Sequence, residues 1–126
     1  MSRLRVAMIG AGSIAAKHLR AYADNPVVDL VAVHDINFGR AAERAEEFGA
    51  THAYRTLAEV LDNPEIDAVS VCTWNDSHAE LAIASLDAGK HVLLEKPLSK
   101  TVAEAEAIAA AVARSGRHLQ VGFVRR

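Results

Sequence analysis

The stretch Leu4-Arg5-Val6-Ala7-Met8-Ile9-Gly10-Ala11-Gly12-Ser13-Ile14-Ala15 decides how the rest of the chain is read. Its first six residues, apolar but for Arg5, have the length and character of a buried strand. Two glycines follow, and then Ala15, His18, Leu19 and Tyr22 fall on one face of a helix. Gly10 and Gly12 let the chain turn sharply and let a phosphate approach the backbone, while the small Ala15 permits close packing of helix on strand. The unpaired N–H groups at Ser13 and Ile14 and the positive end of the helix dipole then face an anion. Any tight turn favours glycine, so the pattern gains its meaning from lying between a strand and a helix.

Outward from this turn, strand-length apolar segments alternate with helix-length amphipathic ones. Strands are expected at Leu4–Ile9, Leu30–Asp35, Ala68–Thr73, Val92–Glu95 and Leu119–Val121, with a weaker one at His52–Tyr54. Most are apolar throughout, as strands covered on both faces are. Helical stripes run through Ala41, Ala45 and Phe48 and through Ala79, Ala82, Ile83 and Leu86. Thr56/Glu59, Ser77/Glu80 and Thr101/Glu104 each have the spacing of a capping box, and Gly49, Gly89 and Gly116 follow three helices as left-handed stops. The expected class is α/β: a doubly wound parallel sheet of about six strands with helices on both faces.

Composition narrows the function. The 126 residues suit one domain, 51% hydrophobic and 24% charged, and no internal boundary, repeat or linker is seen. With 14 Lys+Arg against 16 Asp+Glu, the net charge of −2 offers nothing to nucleic acid. Apolar runs fall far short of the roughly 18 residues of a membrane span. Met1-Ser2-Arg3 leads straight into the first strand without a secretory core, so a cytoplasmic location is expected. Cys72 is read as a buried small hydrophobe within its strand. The six histidines are scattered without metal-ligand spacing, and neither a nucleophile elbow nor a P-loop is present.

Asp35 ends the second strand, and 35 − 12 places it 23 residues beyond the second glycine. About 20 is the interval for the acid that accepts both hydroxyl protons of an adenosine ribose. Its charge repels a 2′-phosphate and no Arg follows directly, so NAD is expected over NADP, with Arg40 the only nearby base to soften that preference. Ligands sit beyond the carboxyl ends of such strands. Those ends carry Thr73-Trp74-Asn75-Asp76-Ser77-His78 and Glu95-Lys96-Pro97. An ammonium at Lys96 can donate to a substrate hydroxyl or a carboxamide, with Glu95 either steadying that charge or solvated, and Pro97 restricts where the lysine points. His78 reads equally well as a cofactor contact and as an ordinary first-turn helix residue.

Together, the glycine turn, Asp35, the Cys72-to-His78 segment with Glu80, Ala88-Gly89-Lys90-His91-Val92 and Glu95-Lys96-Pro97 resemble the glucose-fructose oxidoreductase / inositol dehydrogenase (Gfo/Idh/MocA) family along essentially the whole chain. The resemblance implies an N-terminal Rossmann domain that binds NAD(P) for oxidation or reduction of a sugar, polyol or related alcohol. It implies that Lys96 lies near the nicotinamide and hydrogen-bonds the reacting hydroxyl, that Glu95 helps bind the nicotinamide-side ribose, and that Thr73, Asn75 and His78 line the cofactor. Trp74 departs from the family's usual proline; packing on the cofactor and packing within the protein both fit it. The family's second domain, which holds the substrate and through which oligomers often form, is expected to be absent from these 126 residues. A single wall aligns donor and acceptor carbons poorly, so NAD binding with little turnover is expected of this chain alone. A dinucleotide sensor without chemistry uses the same turn and Asp35; a methyltransferase fits the glycine spacing and the tripeptide less well.

Overall fold

A computed structural model describes residues 3–73, 77–95 and 100–122, with Ser13 and Glu95 described by their backbone. The elements run β1 (Leu4–Ile9), α1 (Ser13–Asp24), β2 (Val28–His34), α2 (Phe38–Phe48), β3 (His52–Tyr54), α3 (Leu57–Leu61), β4 (Ala68–Val71), α4 (His78–Asp87), β5 (His91–Glu95), α5 (Val102–Ser115) and β6 (Leu119–Gly122). The six strands form one parallel sheet in the order β3-β2-β1-β4-β5-β6. The chain winds outward from β1 to β3, then crosses over to start again at β4 on the other side of β1. Each crossover needs a helix, and helices cover both faces.

Alternate strand residues point to opposite faces and build two cores. Met8, Leu30 and Val33 pack with Ala15 and Leu19 of α1 and Ala41 and Ala45 of α2. Ile9, Val69, Val71, Val92 and Leu94 pack with Val60 of α3, Ala82 and Leu86 of α4 and Ala111 of α5. This is why the central strands are apolar throughout. Gly49, Gly89 and Gly116 adopt positive φ of 78°, 87° and 70°, the left-handed stops expected after α2, α4 and α5.

Three expectations are corrected. The second strand ends at His34, because the Asp35 carboxylate accepts from the Asn37 N–H at 2.9 Å and turns the chain toward α2. The fourth ends at Val71, so Cys72 lies just beyond it, half-buried against the α1/α2 core, although its N–H still donates to the Ile9 carbonyl at 2.8 Å. At Ser77 no capping box forms: its backbone is already helical (φ −99°, ψ −2°), whereas a capping side chain needs an extended one. Thr56 and Thr101 are extended and do cap, each accepting from the N–H of the glutamate three residues on.

Candidate functional site

Strand register sets the site. Ile9 lies beside His34 of β2 on one side and Val71 of β4 on the other, so Gly10, Asp35 and Cys72 leave the sheet at one level. The crevice between the β1 and β4 turns is where the winding reverses, the place such sheets bind ligands.

The backbone of the β1–α1 turn can be accounted for group by group. The Gly10 N–H donates to the His34 carbonyl at 2.7 Å, and Gly10 has φ 105°. A Cβ there would collide with the Cys72 carbonyl oxygen, so the fold itself demands this glycine. The Ala11 N–H donates to Asp35 Oδ1 at 3.0 Å and the Ala11 carbonyl accepts from Arg44 Nε at 3.2 Å. Gly12 differs: its φ of −79° suits any residue, and a Cβ would meet nothing within 4 Å. Nothing in the described chain requires a glycine at this position. It opens α1 as the N-cap, where it offers no capping side chain, and the first turn of α1 holds no acid. Its neighbours Ser13 and Ile14 present first-turn amides that a helix cannot satisfy internally. A glycine that no described neighbour demands, at a positive helix end without a side-chain cap, fits a diphosphate.

Asp35 is half-buried, and each of its oxygens accepts one backbone N–H, from Ala11 and from Asn37. A carboxylate has about four acceptor positions, so two remain to receive hydroxyls. Ile36, next in sequence, is 98% exposed, a large apolar surface beside that carboxylate. Sequence reasoning passed over it, although an apolar residue directly after a strand-end acid was the available signal. Arg44 was also passed over; its i, i+3 relation to Ala41 was visible, its reach to Ala11 was not. Arg40 is exposed on the first turn of α2.

Across the crevice, Thr73 follows β4 and its Cγ2 would lie 3.2 Å from a Cβ built on Gly10. Thr73 Oγ1 accepts from the Ser77 hydroxyl at 3.2 Å, and the Thr73 carbonyl accepts from His78 Nε2 at 3.0 Å. His78 is 1% exposed, and its ring holds the start of the β4–α4 loop from within the fold. The structure thus brings together Gly10, Gly12, Asp35 and Thr73, with the backbone of Ser13 and Ile14 alongside. Glu95 ends β5, paired with Gly122 of β6. Trp74, Asn75, Lys96 and Pro97 lie outside the described residues.

Charge at the opposite, amino-terminal rim of the sheet is engaged within the protein. Arg5 binds both oxygens of Asp67, at 3.1 and 3.2 Å, which holds the Asp67 carboxyl below its usual range. Lys90, 5% exposed, donates to the Asn63 and Ile66 carbonyls at 2.6 and 2.9 Å, and burial pushes its pKa down.

Residues 4–123 match the model of an oxidoreductase family described as having an NAD-binding Rossmann fold, GFO_IDH_MocA. The chain belongs to this family. A 4-carboxy-2-hydroxymuconate-6-semialdehyde dehydrogenase from Sphingobium sp. strain SYK-6 is 39% identical over 98% of this chain and 39% of its own length. An inositol 2-dehydrogenase of Pseudomonas syringae pv. syringae is 40% identical over 97% of this chain and 37% of its own. Among solved structures, GenD2 from gentamicin A biosynthesis, in complex with NAD, superposes with a TM-score of 0.92 at 34% identity, over 97% of this chain and 35% of that one. The 3-ketoreductase KijD10 from Actinomadura kijaniata, in complex with NADP, gives a TM-score of 0.92 at 32% identity, over 97% and 39%. The chain therefore spans less than two fifths of the length of each of these relatives. It is a Gfo/Idh/MocA NAD-binding Rossmann domain, and among its described residues no helix is long and apolar enough to cross a membrane.

Proposed function

We propose that this Gfo/Idh/MocA domain is the cofactor half of a dehydrogenase that moves hydride between a nicotinamide dinucleotide and a sugar, polyol or related alcohol. The observation that carries the proposal is Gly12, a glycine with ordinary φ and empty space at its Cβ position, opening a helix that has no side-chain cap. In this reading Gly10 shapes the turn, the amides of Gly12, Ser13 and Ile14 hold the diphosphate, and Asp35 receives the adenosine ribose hydroxyls. Thr73, Trp74, Asn75 and Glu95 line the nicotinamide side, with His78 fixing their loop through the Thr73 carbonyl. Pro97 restricts the backbone beside Lys96. The bound cofactor supplies the hydride acceptor or donor. Lys96 donates a hydrogen bond to the substrate oxygen, stabilising the negative charge that develops there when a carbonyl gains hydride or when an alcohol gives up its proton before hydride leaves. That proton is exchanged with a group of the second domain. The alcohol class is supported by relatives named inositol 2-dehydrogenase and levoglucosan dehydrogenase.

NAD is preferred to NADP because Asp35 is tethered by two backbone amides and cannot swing away from a 2′-phosphate. Substrate residues and the subunit contacts of an oligomer belong, in this proposal, to a second domain. A cytoplasmic location goes with it, and the lone Cys72 suits a reducing compartment. Calorimetric titration of the chain with NAD, NADP and S-adenosylmethionine tests the reading. Tightest binding is expected for NAD, weaker binding for NADP and none for S-adenosylmethionine; NADP binding as tightly as NAD would overturn the role of Asp35. In a longer parent chain, Lys96→Ala is expected to leave NAD affinity nearly intact and abolish turnover, and loss of binding would recast the lysine as a cofactor anchor.

A further inference from the structure

Arg44 lies on α2, beyond any motif of the glycine turn, yet its side chain reaches that turn. We propose that Arg44 is a positioning residue of the diphosphate cradle, holding the Ala11 carbonyl so that the Gly12 N–H faces the ligand; this rests on the reading just given. Both polar groups of Ala11 are tied to side chains from outside the turn, the N–H to Asp35 Oδ1 at 3.0 Å and the carbonyl to Arg44 Nε at 3.2 Å. The Ala11 carbonyl and the Gly12 N–H belong to one planar trans peptide and point in opposite directions. Fixing the oxygen toward α2 therefore fixes the N–H away from α2. Glycine permits more backbone orientations than any other residue, so at Gly12 an external tether is what selects one. Among the described residues no backbone acceptor engages the Gly12 N–H.

Arg44 is anchored at both ends for this task. Its base is fixed, since Ala41 and Ala45 on either side of it along the helix are buried against the sheet. Its outer nitrogen Nη1 pairs with Glu47 Oε1 at 2.9 Å, and the side chain is only 26% exposed. The atom that reaches the turn is Nε, whose N–H is a directional donor.

Three replacements separate aim from charge. Glutamine carries its side-chain NH2 the same number of bonds from the backbone as the arginine Nε, without charge. Lysine keeps the charge but places its ammonium one atom farther out, and methionine keeps only the stem. NAD affinity is measured by calorimetry beside the melting temperature of each protein. Arg44→Met is expected to weaken NAD about tenfold, the scale of one hydrogen bond to a charged group. Arg44→Lys should resemble it, and Arg44→Gln should stay within about threefold of wild type. If Arg44→Met fails to fold, the comparison of Gln with Lys decides by itself. Affinity kept by Lys and lost by Gln would mean that charge acts directly, and wild-type affinity in both would mean that the turn aims itself; either overturns the proposal alone. A wild-type chain that takes no NAD would overturn the proposed function and this proposal together.

Discussion

Two helix starts in this molecule are built in opposite ways. At α3 the chain satisfies its own first-turn amides: Thr56 accepts from the Glu59 N–H, and Glu59 Oε1 accepts from the N–H groups of Arg55 and Thr56 at 2.9 and 3.0 Å. At α1 there is a glycine N-cap, no side-chain cap and no acid in the first turn. The helices begin along one edge of a parallel sheet, so the fold does not force this difference. Side chains also cap α2, through Asn37, and α5, through Thr101. Among the described residues, the start that lacks both a side-chain cap and a first-turn acid is α1, which opens beside the crevice between β1 and β4. In the proposed reading α1 is left open for the diphosphate, while α2, α3 and α5 are closed for stability.

This contrast can be broken from the α1 side first. Gly10→Ala is expected to have the largest effect, about 3 kcal/mol of unfolding free energy, since it sets a side chain at φ 105° and drives it into the Cys72 carbonyl. Denaturant unfolding reads the loss, and NAD binding should go with it. Gly12→Val should separate the two properties. Its side chain enters space that no described atom fills, so stability should fall by less than about 1 kcal/mol while NAD affinity falls about 10- to 100-fold. A Gly12→Val protein with undiminished affinity would put the ligand elsewhere. From the other side, Thr56→Ala should cost about 1 kcal/mol of stability and leave NAD affinity untouched.

The smallest expected effect is one of pH. The Thr56 N–H holds the Glu59 carboxyl below its ordinary range. A carboxyl whose pKa is lower folded than unfolded contributes stability above its unfolded value and loses it as the pH falls through the folded one. Acid titration of Glu59→Gln against wild type should therefore show a difference near neutrality that shrinks steadily below the usual carboxylate range. A difference that grows with acid would contradict the assignment.

Alternation of buried strands with amphipathic helices was legible because both periods are local, and six strands with two-sided cover follow from them. The capping signals at Thr56 and Thr101 were legible for the same reason. Ser77 carries the same spacing and failed, because its backbone is already helical and its hydroxyl donates to Thr73 Oγ1. His78 offered two readings, and its burial, with its ring on the Thr73 carbonyl, is a property of packing, not spacing.

The sequence by itself determined the parallel α/β class, the glycine turn between β1 and α1, and an acid close to where β2 ends, since each depends on residues close together in the chain. Only the tertiary structure decided that Gly10 is required by Cys72 and Gly12 by nothing in the described chain. Only it could carry Arg44 back to the Ala11 carbonyl. Those distinctions arise where β1, β2, β4 and α2 meet, between residues more than twenty positions apart, and strand register and helix packing alone bring such residues within a hydrogen bond of one another.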